Sequence, residues 1–427
     1  MPGGTGNSRG IFRRRKGLEE PDGQGRSLDP RAFRPSAAGL LWCDRMQTAH
    51  TRPIPPQRLT WPDMMKGISI LWIVFFHFFH AYNNGRFPWL LGFGNFSAWL
   101  AEQHSGSILG TISAALEGIA AVVFERGSQA VGVFIVLSGF GLAYSLAGSG
   151  GRPGGWNSWY RRRLLRLFPI YWLAHLIYLV SPFMDRQDPI DFRFVLSVLG
   201  DRFYPAETVF YYLVPAWWFF GLLLQLYLFF PLFSRLLDKA GEVKFLILCG
   251  VFTLLSRYLL SEVLEANGNY AQGAFFGARL WEFAFGMVVG RRYFLRTGET
   301  ERRLFSWRAS GAGIVIYILG AYSYQPTFTN IFTDMLIGTG LFIIIAHAAV
   351  RMDRWPAAAR LLSSVGVYSY SLYLLHQPYA IYFGKLLREF EMPAYIAASC
   401  AITAIMTVGT MPLEKYTNRF AGRLFGG

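Results

Sequence analysis

The sequence predicts an all-α polytopic integral membrane protein of about ten transmembrane helices. Three observations carry this expectation. Of 427 residues, 53% are hydrophobic and only 16% charged, whereas a soluble chain is nearer a quarter charged. Several separate apolar runs are long enough to cross a hydrocarbon layer ~30 Å thick as helices. The basic residues gather at the ends of those runs, as loop cations facing the cytoplasm and anionic lipid do. That placement assigns the net charge of +15 to the lipid bilayer, and no nucleic-acid partner is expected. Cys43, Cys249 and Cys400 lie far apart with no CxxC spacing, so neither a disulfide framework nor a metal site is expected.

Residues 1–57 are rich in Gly, Pro and Arg and include Arg13-Arg14-Arg15-Lys16. They read as a disordered basic tail with no signal-peptide pattern, held in the cytoplasm by the positive-inside rule. A transmembrane domain over 58–416 and a short cytoplasmic or interfacial tail over 417–427 complete the chain, and an inner (plasma) membrane location is expected. The first helix, about 62–82, carries Asp63 and Lys66 near its start and His77 and His80 deep inside. Eleven steps of ~100° bring His77 to within about 20° of the Lys66 face and roughly 16 Å further along the axis. The four form an expected polar stripe. Ionisable groups at that depth are costly and commonly line a pathway or reaction site; the bland alternative is histidines bonded to neighbouring helices.

Residues 83–129 read as re-entrant or interfacial, with one span near 107–124. A helix over 130–147 contains Ser138-Gly139-Phe140-Gly141, a small-residue patch that lets backbones approach. Next, Arg161-Arg162-Arg163 and Arg166 precede Pro169 and Tyr171. Arg163 and Arg166, spaced i, i+3, share one face at a membrane boundary and suit phosphate oxygens. Further helices are expected at 215–231 (with Trp217, Trp218 and Gln225), 243–262, 272–290, 309–324, 331–350, 361–384 and 394–411. Arg279 and Glu282 stand one turn apart and can neutralise each other. Tyr370, Tyr373 and His376 recur at i+3, a hydroxyl and imidazole stripe on an apolar helix.

Taken together, Asp63-x-x-Lys66-Gly-Ile with His77 eleven residues on, Ser138-Gly139-Phe140, Arg163-x-x-Arg166, Arg279-x-x-Glu282-Phe, Tyr370-Ser-Leu-Tyr-Leu-Leu-His376 and Pro412-x-Glu414 resemble, in order, the acyltransferase 3 family. Its members are polytopic membrane enzymes that move short acyl groups from acyl-CoA to sugar hydroxyls. Where many members carry Arg, this chain has Lys66, as in a branch resembling polysaccharide and glucan O-acyltransferases. Where many carry Glu, it has Leu223. The resemblance implies acyl-CoA as co-substrate, with no tightly bound cofactor or metal, and a carbohydrate or glycolipid acceptor. Catalytic roles are expected for His77 (general base), Asp63 and His376. Donor binding is expected for Lys66, Arg163 and Arg166, and substrate contact for Trp218, Tyr370, Tyr373 and Glu282. The rival class is a transporter or flippase of a glycan or lipid intermediate, which intramembrane His and Tyr groups also suit.

Overall fold

A computed structural model describes residues 58–87, 90, 93–103, 107–151, 154–184, 188–324 and 328–425; the tail expected over 1–57 lies outside them. The described residues fold as helices, with no strand among them. In chain order these are α1 (Thr60–Asn83), α2 (Phe93–Glu102), α3 (Ile108–Glu125), α4 (Val131–Gly148), α5 (Trp156–Val180) and α6 (Phe192–Leu199). Then follow α7 (Trp218–Ala240), α8 (Glu242–Tyr258), α9 (Leu280–Leu295), α10 (Thr297–Leu304) and α11 (Trp307–Tyr322). The chain ends with α12 (Thr333–Met352), α13 (Pro356–Val367), α14 (Ser369–Leu387) and α15 (Met392–Phe425). Residues 417–425 continue α15.

By length and apolarity, 7 described stretches can cross a membrane, one of them the 41-residue Ile108–Gly148 that contains α3 and α4, or 8 if the bent pair α10–α11 counts as one span. Two further helices, α9 and α14, fall outside that count for a physical reason. A helix enclosed by other helices need not be apolar all round. α9 carries Glu282, Arg291 and Arg292 in 16 residues, and α14 carries His376 and Gln377, both buried. Lipid-facing helices show the opposite pattern: Ile108, Ile112, Leu116, Ile119 and Val123 form an exposed stripe on α3.

Two close crossings set the frame. A Cβ on Gly139 would come 2.1 Å from the Phe283 carbonyl oxygen, and one on Gly286 2.0 Å from that of Val136, so α4 and α9 touch backbone to backbone. The expected small-residue patch packs at Gly139, but open space faces Gly141, which lines a cavity instead. Likewise a Cβ on Gly366 would lie 1.7 Å from the Asp63 carbonyl oxygen, which seats α13 across the start of α1.

Two expected helices are broken. The 361–384 segment divides at Tyr368, whose φ −99°, ψ 12° leaves the helical region and lets α13 turn aside from α14. The 272–290 segment becomes regular only at Leu280, after a turn at Gly273 with φ 154°, a conformation suited to glycine. Gln225 of α7 satisfies that break: its Nε2 donates to the Ala274 carbonyl (2.7 Å) and its Oε1 accepts from the Phe276 N–H (3.1 Å).

The connection 188–217 closes the end of the bundle remote from Lys66. Buried Arg202 clasps it, donating to the Val209 and Tyr212 carbonyls (2.9 and 2.8 Å), Tyr171 Oη (3.1 Å) and Ser197 Oγ (2.5 Å). His175 joins through Ser197 Oγ at 2.8 Å.

Candidate active site

α1 carries the first half of the site. At its mouth Asp63 accepts from Lys66 Nζ and from Arg58 Nη2, each at 3.0 Å. The acidic side chain in the first turn also suits the positive end of the helix dipole. Asp63 is fourteen residues from His77, about 21 Å along the axis. It therefore organises the mouth and does not exchange protons with His77. His77 is half-buried and its ring centroid lies 5.0 Å from that of His376. His80 leaves the expected stripe: it is exposed and its ring neighbour is Phe76 at 6.1 Å.

α14 carries the second half. Tyr370 Oη donates to the Leu167 carbonyl at 3.0 Å, tying α14 to α5. Tyr373 Oη donates to the Ala216 carbonyl, and Ala216 N–H donates to Gln377 Oε1 at 2.6 Å. Trp217 Nε1 donates to the Leu374 carbonyl at 2.8 Å. Fully buried His376 directs Nδ1 at the Tyr373 carbonyl, 2.7 Å away. Its ring centroid is 5.4 Å from that of Tyr373.

Between these halves a cavity of about 790 Å³ opens, lined among others by Asp63, Lys66, Ser138, Arg163, Arg166, Tyr370, Tyr373 and Glu414. A second cavity of about 490 Å³ adjoins it, sharing Ser145, Arg163 and Arg166 and adding Arg162, Ser149 and Trp159. The Arg163 guanidinium rests over the Trp159 ring, 5.6 Å from its centroid. Among the described residues no carboxylate lies within ion-pair distance of Arg163 or Arg166. Two guanidiniums facing an open cleft suit an anion, with Glu414 the carboxylate whose charge acts on Arg166 from the same cavity. Glu414 lines the same cavity and accepts from Ser371 Oγ; its Pro412-x-Glu414 setting was the sequence signal for it. The cavity stops short of the histidines. Tyr373 borders it, His376 adjoins Tyr373, and His77 adjoins His376.

Two candidate substrate contacts lie elsewhere. Glu282 is fully buried and accepts from Arg279 Nε at 2.6 Å. Arg279 Nη1 also lies 3.4 Å from Asp334 Oδ1, whose Oδ2 is 2.5 Å from Arg257 Nη1. This neutral four-charge cluster holds helices together and is no part of the cavity lining. Trp218 stacks on Phe210 at 5.7 Å and covers Gly273, also away from the cavity. It is the adjacent Trp217 that reaches α14, because successive helical residues point ~100° apart. Among the described residues no group of three His, Cys, Asp or Glu is arranged to hold a metal ion.

Comparison with known proteins gives the same direction. The acyltransferase 3 family model, an acyltransferase domain, matches residues 59–414. The chain is 25% identical over 334 residues, 70% of its length and 82% of the relative's, to the acyltransferase MdmB of Streptomyces mycarofaciens. No solved structure matches it.

Proposed function

Because the chain belongs to the acyltransferase 3 family and is an acyltransferase of the membrane, we propose that it moves an acetyl group from cytosolic acetyl-CoA to a hydroxyl of a sugar or glycolipid at the inner membrane, with His77 as general base. The observation that carries this reading is the cavity. Arg163 and Arg166 line it with no carboxylate in ion-pair contact among the described residues, suited to the phosphates of acyl-CoA, and Tyr373, which lines it too, adjoins the histidine pair. The basic tail and Lys66 then lie on the cytoplasmic side. Lys66, held by Asp63 at 3.0 Å, adds positive charge to the donor's path.

In the proposed reaction the acceptor hydroxyl gives its proton to His77 while its oxygen bonds to the thioester carbonyl carbon. The tetrahedral intermediate collapses with cleavage of the C–S bond, and the departing thiolate recovers the proton from His77. A neutral imidazole within hydrogen-bond reach of a hydroxyl suits this task.

The test is acetyl-CoA binding to detergent-purified protein by thermal shift, for wild type and for Arg163→Ala/Arg166→Ala. A ligand bound only by the folded state raises the melting temperature. We expect stabilisation of wild type and its loss in the double variant. Absence of a shift with acetyl-CoA and succinyl-CoA, in folded protein, overturns the donor assignment. Full acyl transfer by folded His77→Ala overturns the base assignment.

A further inference from the structure

We propose that His376 is a positioning residue that acts through His77: its Nε2 lone pair accepts the N–H that His77 turns away from the acceptor hydroxyl. This rests on the reading of His77 as the base.

The tautomer of His376 is set by its backbone neighbour. His376 Nδ1 lies 2.7 Å from the Tyr373 carbonyl oxygen. A carbonyl only accepts, so Nδ1 carries the hydrogen and Nε2 of the neutral ring holds a lone pair. That Nε2 is buried and has no hydrogen-bond partner among the described residues. A buried acceptor without a donor is costly and points to a partner gained in another state. His376 is fully buried whereas His77 is only half-buried, so of the two rings His77 is the one left open to a substrate hydroxyl. Its ring neighbours are Tyr373 and His77. Tyr373 Oη is already committed to the Ala216 carbonyl. Neither ring nitrogen of His77 has a hydrogen-bond partner among the described residues. At 5.0 Å between centroids, a turn of the His77 ring closes an N–H···N bond.

The consequence is chemical. One His77 nitrogen donates to His376, which leaves the other as the acceptor that takes the hydroxyl proton. When His77 becomes an imidazolium, the bond to His376 is already in place and strengthens as charge-assisted. His376 neither gains nor loses a proton. Its part corresponds to that of a carboxylate behind a catalytic histidine, which fixes tautomer and orientation, but it is played by a neutral ring. The other titratable groups facing the pair are His80 on α1 and Tyr373 on α14.

The experiment compares His376→Gln with His376→Asn in the full chain, in detergent, with acetyl-CoA as donor and methyl glucoside as acceptor. Gln carries an acceptor oxygen to about the Nε2 position; Asn cannot. We expect His376→Asn to lower kcat by ~10²-fold or more, the scale of a displaced general base, with KM for acetyl-CoA unchanged and the acid limb of the kcat–pH profile moved to lower pH. His376→Gln should retain most of the rate and the wild-type limb. Independently of turnover, ¹⁵N-histidine spectra should show one His77 tautomer in wild type and His376→Gln but a mixture in His376→Asn. Equal kinetics for both variants, or the same His77 tautomer in all three proteins, overturns the proposal. Loss of the rate in His77→Ala together with wild-type behaviour of His376→Asn removes the coupling alone. A transfer rate that survives His77→Ala removes the base assignment on which it rests.

Discussion

Replacing Glu282 with Ala should destabilise the protein without weakening substrate binding. Two guanidiniums and two carboxylates meet where α8, α9 and α12 converge: Arg257 with Asp334 (2.5 Å), Arg279 with Glu282 (2.6 Å) and Arg279 with Asp334 (3.4 Å). Removing Glu282 leaves two buried cations and one anion. Taking one partner from a buried ion pair costs about 3–5 kcal/mol. Asp334 and the Gln272 carbonyl (3.2 Å) still hold Arg279, so about 3 kcal/mol, the lower end, applies. At about 1.4 kcal/mol per factor of ten, that is roughly two orders of magnitude in the folding equilibrium. The assay is thermal melting in detergent, with KM for acetyl-CoA measured well below the transition. We expect a lower melting temperature and an unchanged KM. The double variant Arg279→Met/Glu282→Leu, which removes both members of the pair, should melt above Glu282→Ala. A Glu282→Ala protein that melts like wild type but binds donor or acceptor more weakly would overturn the structural role and restore Glu282 as a substrate contact.

Other consequences can be measured alongside. Arg166→Ala should raise KM for acetyl-CoA, and the gap from wild type should narrow between about 0.05 and 0.5 M salt, because an exposed charge is screened; a salt-independent gap argues against a phosphate contact. Gly366→Ala should destabilise by about 1–3 kcal/mol, the usual range for overpacking, since its Cβ would enter the Asp63 carbonyl. Thermal melting checks this, and an unchanged melt means that α13 moves freely on α1. Arg202→Ala removes a side chain with four hydrogen bonds, each worth about 1.5–3 kcal/mol for a charged donor. Faster amide exchange across 188–217, measured by mass spectrometry, is the expected outcome.

The sequence exposed whatever depends on local periodicity. Asp63 and Lys66 pair because i, i+3 neighbours meet on a helix, and Tyr370, Tyr373 and His376 share a face for the same reason. What it did not expose is which neighbour each face meets. His80 is three residues past His77, about 60° short of a full turn, and that offset carries it out to the surface. Trp217 and Trp218 are equivalent in composition, yet only the first bonds to α14. Arg202 belongs to none of the motifs; its partner Tyr171 lies on α5, 31 residues away, and no spacing within the connection encodes that pairing. Tyr368 gave no breaking signal, because the turn there answers to the crossing of Gly366 over Asp63. The ion cluster was half legible: Glu282 lies one turn from Arg279, whereas Arg257 and Asp334 are distant in sequence.

The spacing along α1 explains why charge and chemistry sit apart. Arg163, Arg166 and Lys66 belong where water and counter-ions reach, because several desolvated cations would be costly. A histidine acting as base is served by the opposite setting, since a low dielectric strengthens each hydrogen bond it makes. Eleven helical residues separate the two settings by about 16 Å. On the proposed reading, the donor's phosphates stay at the mouth and only its neutral thioester end passes inward. Tyr373 stands at that passage, lining the cavity on one side and touching His376 on the other. Its hydroxyl is held by the Ala216 carbonyl, in the connection clasped by Arg202. The position of that connection therefore sets how far the thioester can advance toward His77. It follows that Tyr373→Phe, which frees the ring from Ala216 but keeps its bulk, should alter kcat more than KM for acetyl-CoA. A change confined to KM would place Tyr373 with the phosphate-binding mouth and break the link between the connection and the reaction.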